Sequence, residues 1–276
     1  GADVVLTARS ADRIETVAGE IEAETGSTAV AVPGDVRESE DVARVAERAT
    51  DLGDGAVDVL VANAGANFHA PVAEISENGW GTIVDINLHG TFRYCHELVD
   101  ALTAADGGRV VTMSSVVGRD GAAESAHYAA SKAGLIGLTK SHARDFAPEV
   151  RVNAVAPGPF ETGRIDQLVE ESLDVGAYDS PAAAREAWAG DVPLGRPGEG
   201  APGVDQIGEA LFGHGQGGPC GLDAGQGLAL RRLLGRVQGA DDGPDRLQRR
   251  AGRGEDVVGQ GLEGVVHPSQ REAQHL

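Results

Sequence analysis

The chain opens on a short apolar run, Val4-Val5-Leu6, followed by Ile14, Val17, Ala18 and Ile21 at the spacing of one helix face, with Gly26 placed to stop the helix. Apolar runs without polar interruption suit strands covered on both faces. The unit then repeats. Ala29 to Val32 precedes a helical pattern from Asp41 to Leu52, and Val57 to Ala62 precedes one from about Ser76 to Ala105. Val110 to Met113 precedes another from about Ser125 to Phe146, and Val150 to Val155 closes the series. Strands alternating with helices predict an α/β protein built on a doubly wound parallel sheet, and 276 residues fit one large core.

The repeat ends near residue 200, which divides the chain into a patterned unit, 1–199, and a tail, 200–276, expected to be irregular and either disordered or non-native. Of the 40 glycines, 18 lie in those last 77 residues. The tail holds 8 Arg against 10 Asp plus Glu, whereas the remainder holds 15 basic against 33 acidic residues. A second domain of the same protein should share the acidic bias, so the composition favours out-of-frame translation of a GC-rich gene, with a natural disordered tail as the rival. Gly198-x-Gly200-x-x-Gly203 and Gly213-x-Gly215-x-x-Gly218 both match a dinucleotide fingerprint, but neither lies between a strand and a helix, so both read as accidents of glycine density.

Composition narrows the function classes. A formal charge of −20 excludes a general nucleic-acid or anionic-membrane surface, which needs clustered Lys and Arg. Lysine occurs only at Lys132 and Lys140, and a carboxylate-rich, lysine-poor surface suits a salt-rich cytoplasm. No apolar run reaches the ~18–20 residues of a membrane span and no leader pattern is present, so the expectation is a cytoplasmic protein without membrane partners. Cys95 and Cys220 suggest neither a disulfide nor a metal site, and the eight histidines lack ligand spacing; no metal is expected.

The chemistry concentrates in Ser115, Tyr128 and Lys132. Tyr128 and Lys132 are four residues apart in a helical pattern, so their side chains leave one face. A phenol with an ordinary pKa of ~10 exchanges protons poorly at neutral pH, and an adjacent ammonium favours its ionised form. Ser115, after the fourth apolar run, could donate to a substrate oxygen while Tyr128 gives or takes the proton. A solvated helix face is the alternative for any Tyr-x-x-x-Lys. Three tyrosines and two lysines in the whole chain make a chance pairing after the right strand improbable.

With further motifs in order, residues 1 to about 199 closely resemble the short-chain dehydrogenase/reductase family. Asn63-Ala64-Gly65 resembles the family's Asn-Asn-Ala-Gly element with Ala62 in the first position, and Asp35-Val36 resembles the pair that contacts the adenine ring. Asn87 resembles the helix asparagine holding a relay water behind the lysine, and Pro157-Gly158 with Thr162 resembles the segment at the nicotinamide end. Taken singly, these residues could equally form a tight turn, a turn cap, a helix-surface amide, a strand terminator and a helix N-cap.

The resemblance implies a Rossmann-like sheet and hydride transfer between NADP or NAD and a ketone or secondary alcohol, with a 3-oxoacyl thioester or a sugar as substrate. Asn87, Ser115, Tyr128 and Lys132 would be catalytic; Arg9, Asp35, Val36, Asn63, Ala64, Gly65, Tyr128, Lys132, Pro157, Gly158 and Thr162 would touch the cofactor. Ala8-Arg9-Ser10 at the end of the first run, with Arg13 a turn further, favours NADP, because Arg suits a 2′-phosphate; Arg9 could instead cover the adenine or make a surface ion pair. Residues 159–192, with Phe160, Tyr178 and Trp188, would form a substrate lid or pack between helices. The family's helices beginning near Ser76 and Ser125 imply a homo-oligomer, a tetramer or dimer. The family begins with a strand, a Gly-rich turn and a helix that receives the pyrophosphate, and Gly1-Ala2 resembles the loop after them. The Val4–Leu6 strand would then lack its inner neighbour, leaving unpaired backbone or forcing a different pairing. On this expectation the chain encodes the catalytic tetrad but binds dinucleotide poorly, and a non-catalytic fragment or assembly module is the second reading.

Overall fold

A computed structural model describes residues 2–158, 166, 169–170, 172–173, 178–190 and 263–268. Each apolar run is a strand: β1 (Ala2–Thr7), β2 (Ala29–Ala31), β3 (Val59–Ala62), β4 (Arg109–Met113) and β5 (Arg151–Val155). Helices α1 (Ala11–Thr25), α2 (Ser39–Leu52), α3 (Glu77–Val84), α4 (Gly90–Ala104), α5 (Val116–Asp120) and α6 (Ala126–Asp145) lie between them; α7 (Pro181–Gly190) and β6 (Glu263–Pro268) follow.

The strands alternate between two apolar layers. Val4 and Leu6, Val59 and Val61, and Val111 and Met113 face one layer, closed by Ile14 and Ala18 of α1. Val5, Leu60 and Val110 face the other, against Val42, Val45 and Ala49 of α2 and Tyr94, Leu98 and Leu102 of α4. Strands apolar on both faces are stable only between two helical layers, which is why they read as continuous runs.

The sheet order is β2-β1-β6-β3-β4-β5. β1 pairs with β2, β3 with β4, and β4 with β5, all in parallel. From β1 the chain winds outward to β2, crosses over, and then winds the other way through β3, β4 and β5. The switch in winding direction falls between β1 and β3, the place where sheets of this class bind ligands at the carboxyl ends of their strands.

That position holds β6. It runs antiparallel to both neighbours, with Thr7 opposite Glu263, Ala2 opposite Pro268 and Val61 opposite Gly264. The expectation of an irregular tail and an all-parallel sheet is therefore corrected at one point. The inner edges of β1 and β3 carry backbone groups that need partners once buried, and a segment of the tail supplies them, so the forced new pairing is the outcome realised. The rest of the tail, with both Gly-x-Gly-x-x-Gly matches, lies outside the described residues.

The helix read from Ser76 to Ala105 is also interrupted. Ser76 caps α3 by accepting from the Gly79 N–H, and residues Asp85–His89 then form a π-turn, closed by the Gly90 N–H on the Asp85 carbonyl, before α4 begins. The added residue changes the direction in which Asn87 leaves the helix. Among the described residues no helix is long and apolar enough to cross a membrane.

Candidate active site

The site forms where the end of β4 meets α6. The Lys132 side chain is 4 % exposed, and its Nζ donates to the Met113 carbonyl at 2.6 Å. Ser114 Oγ donates to the Lys132 carbonyl at 2.8 Å, and Thr112 and Thr139 share a hydroxyl contact of 2.7 Å. Thr112 and Met113 of β4 and Ser114 just after it therefore bind α6. Gly118 brings α5 onto the same helix: a Cβ there would lie 2.6 Å from the Lys132 carbonyl carbon.

Burial pushes the Lys132 ammonium down to about 8 from an ordinary 10.5, which leaves it mostly charged at neutral pH. It lies 5.6 Å from the centre of the half-buried Tyr128 ring. Ser115 ends the strand segment and caps α5, its Oγ accepting from the Val117 N–H at 3.2 Å. That contact uses an oxygen lone pair and leaves the hydroxyl proton to donate. Pro157 is drawn to the same place, because the Val116 N–H donates to its carbonyl at 3.0 Å.

Asn87, wholly buried in the π-turn, fixes the segment after β3. Its Oδ1 accepts from the Ala66 N–H at 2.7 Å, and its Nδ2 donates to the Ala66 carbonyl at 3.0 Å and to Ser131 Oγ at 2.9 Å. Ser131 in turn donates to the Tyr128 carbonyl at 2.8 Å. Gly65 passes so close that a Cβ would meet Lys132 Nζ at 3.3 Å and Asn87 Oδ1 at 3.4 Å. The structure thus joins Gly65, Asn87, Lys132 and Tyr128 through one chain of contacts, with Asn63 and Ala64 leading into it from β3 and Ser115 and Pro157-Gly158 on the adjoining strand ends.

Of the other predicted cofactor residues, Arg9 and Asp35 follow β1 and β2, while Val36 packs on the apolar cluster that also carries Tyr128. Arg9 is exposed just beyond β1. Asp35 is held by Arg37, whose Nε lies 3.1 Å from both carboxylate oxygens and whose Nη2 lies 2.7 Å from Oδ2. Burial alone would raise the Asp35 pKa, but the hydrogen bonds and charge of Arg37, with the charge of Arg9, hold it below the usual carboxylate range. Val36 packs against Gly90, where a Cβ would lie 2.9 Å from its Cγ2. Thr162 and Phe160 lie outside the described residues. Tyr178 packs beside Val169 and Ala184, the helix-packing role. Sequence reasoning missed Ser114, Ser131 and the Met113 carbonyl. Ser131 lies between Tyr128 and Lys132, but only the fold shows that it faces Asn87.

The chain belongs to the short chain dehydrogenase family, whose model matches residues 1–172. It is 36% identical over 189 residues to the 3-oxoacyl-[acyl-carrier-protein] reductase FabG of Aquifex aeolicus (strain VF5), a match covering 66% of this chain and 76% of that protein. Against the enzyme of the same name from Thermotoga maritima it is 39% identical over 143 residues, covering 51% of this chain and 53% of the relative. Among solved structures it resembles an NAD+-bound xylitol dehydrogenase, with a TM-score of 0.66 and 28% identity over 71% of this chain and 76% of the other. It also resembles an actinorhodin polyketide ketoreductase variant with NADPH, with a TM-score of 0.64 and 31% identity over 71% of this chain and 75% of that one. Family membership defines the class as NAD(P)-dependent oxidoreductases acting on a ketone.

The residues fit such a dinucleotide unevenly. Gly65 brings the backbone after β3 against Lys132, the ammonium and the Tyr128 hydroxyl being groups that fit a nicotinamide ribose, and the exposed Arg9 fits the adenosine end. Between them β6 meets the carboxyl edge of the sheet with Glu263 and, running antiparallel, leaves the sheet at the opposite edge, so among the described residues no strand-to-helix turn faces a pyrophosphate there. Among the described residues there is no group of three or more His, Cys, Asp or Glu able to hold a metal.

Proposed function

We propose that this chain is a ketone reductase of the 3-oxoacyl thioester type that uses NADP, with Tyr128 as proton donor. The observation that carries the reading is the burial of Lys132 beside the Tyr128 ring, with Asn87 tied to the Tyr128 turn through Ser131 and Ser115 at the adjoining end of β4. Ser115 donates its free hydroxyl proton to the substrate carbonyl oxygen and orients it. Tyr128 delivers a proton to that oxygen as negative charge develops there, and the buried Lys132 ammonium stabilises the phenolate left behind. Asn87 keeps the Gly65–Ala66 backbone open beside Lys132. A nicotinamide, when bound, supplies the hydride. The 3-oxoacyl class comes from the named relatives, and the NADP preference from Arg9 and Arg13 at the end of β1, where a 2′-phosphate would lie. Residues 1–199 form the functional unit in this proposal.

The test is NADPH oxidation with acetoacetyl thioester and simple ketones. Wild type should turn over, and Tyr128→Phe should lose about 10²–10⁴-fold while binding NADPH equally well. NADPH binding without any reduction would overturn the reading. A second reading, a non-catalytic assembly module, is favoured by one observation: β6 occupies the switch point in reverse. A calorimetric titration in which NADPH fails to bind supports it, and micromolar binding removes it.

A further inference from the structure

The catalytic reading leaves one buried side chain without a task. His127, next to Tyr128 on α6, is 0 % exposed, and neither ring nitrogen makes a well-formed hydrogen bond, the Phe68 backbone offering only a weak one. An unsatisfied buried polar group costs about 1–3 kcal/mol, so a ring serving only as filler would be better replaced by an apolar one. Its ring centroid lies 4.1 Å from that of Phe68, tilted by 42°. Phe68 is confined from the other side by α3, where a Cβ on Gly79 would meet Phe68 Cζ at 3.0 Å.

Phe68 belongs to the segment that leaves β3 and borders the site, and that segment is gripped at alternate residues. Asn87 binds both backbone groups of Ala66, His127 packs its tilted ring on Phe68, and the Ala70 N–H donates to the Glu124 carbonyl at 3.0 Å. Glu124 itself has φ of 56°, a conformation that a non-glycine residue adopts at a cost, so the turn before α6 is shaped by this contact. Ala66, Phe68, Ile83 and Ile86 form one apolar cluster, and the Tyr128 ring packs on it. His127 and Ser131, four residues apart, lie on one face of α6, and Tyr128 and Lys132 lie on the next. The grip on Ala66–Ala70 and the aim of Tyr128 therefore share one helical turn.

We propose that His127 is a positioning residue: its ring, wedged against Phe68, holds the Ala66–Ala70 segment as the apolar backing that aims Tyr128. The inference rests on the reading of Tyr128 as proton donor. Burial, followed by the neighbouring charge of His69, lowers the His127 pKa to about 4, opposed by the Phe68 backbone. The surrounding titratable groups leave a protonated ring without a neutralising partner. His69 is of like sign, as is Lys132 on the adjacent helix face; Glu124 faces the segment through its carbonyl; Glu77 of α3 is exposed; Asp85 is engaged by His89 and Arg93. With an ordinary pKa of 6.5 in the unfolded chain, the hold is complete above about pH 6.5 and is lost as pH falls through about 4.

The test combines His127→Ala and His127→Phe with amide hydrogen exchange over Ala66–Ala70. His127→Ala should lower kcat about ten-fold at pH 7, with KM for NADPH unchanged and faster exchange over that segment. His127→Phe, which keeps the packed ring and removes the ring nitrogens, should recover kcat to within about two-fold and lose the acid-induced rise in exchange between pH 6.5 and 4. Wild-type kcat and exchange in His127→Ala, or an acid response retained in His127→Phe, overturns the proposal. If His127→Ala fails to fold, the phenylalanine variant decides through the same two readouts. If wild type reduces no ketone, the reading of Tyr128 has failed, and exchange in His127→Phe against pH still decides whether His127 holds the segment.

Discussion

The two sides of the sheet's switch point are built differently. On the β3–β5 side, β4 and α6 are joined by side chains that select one another: Lys132 on the Met113 carbonyl, Ser114 on the Lys132 carbonyl, and Thr112 on Thr139. On the β1 side, the join to β3 runs through the strand pairing of β6, more than 200 positions away in sequence. The first arrangement is specified residue by residue. The second satisfies a general need, because buried strand edges must find donors and acceptors wherever the chain can supply them. The face that carries Tyr128 and Lys132 is therefore held by side-chain bonds, while the slot between β1 and β3 is held by strand pairing.

The sharpest way to break this contrast is to damage each side equally. Val265→Pro removes an N–H from the strand between β1 and β3, and Gly118→Val drives a Cβ into the Lys132 backbone, where the space is 2.6 Å. Val265→Pro should cost about 3 kcal/mol and expose the amides of β1 and β3 to exchange. Gly118→Val should cost about 1–3 kcal/mol and abolish ketone reduction. If Val265→Pro leaves the melting temperature unchanged, β6 does not hold the two halves together.

A smaller effect comes from the buried ammonium. Between pH 8 and 10.5 the folded chain binds fewer protons at Lys132 than the unfolded chain does, so stability rises with pH across that window, with the burial penalty fully present below 8. Lys132→Met should flatten that slope in denaturant titrations at several pH values and be no less stable at pH 7, although inactive. An unchanged slope would show that another group is responsible. The smallest effect is expected on α1, in the β1 half. A Cβ on Gly19 meets nothing within 4 Å, so Gly19→Ala should stabilise by about 0.5–1 kcal/mol without touching the β4–α6 seam.

Much of the fold was legible because burial on both sides makes strands into uninterrupted apolar runs, and β1 to β5 fall within a residue or two of those runs. The π-turn at Asp85–His89 was not legible, since an extra residue in a helix leaves no compositional mark, yet it is what presents Asn87 to Ala66. Tyr128 and Lys132 could be paired from their spacing. Ser131 and His127 could not be assigned contacts, because their partners lie 44 and 59 residues away.

By itself the sequence determined the order of strands and helices, the family, and the phenol–ammonium pair, all of which rest on local spacing and on residue types that allow few substitutes. Only the tertiary structure decided which hydroxyls face that pair, that His127 lies buried against Phe68, and that the slot between β1 and β3 is filled in reverse by Glu263–Pro268. Those outcomes depend on which surfaces meet after folding, and backbone pairing, being indifferent to side chains, leaves no pattern along the chain to foretell it.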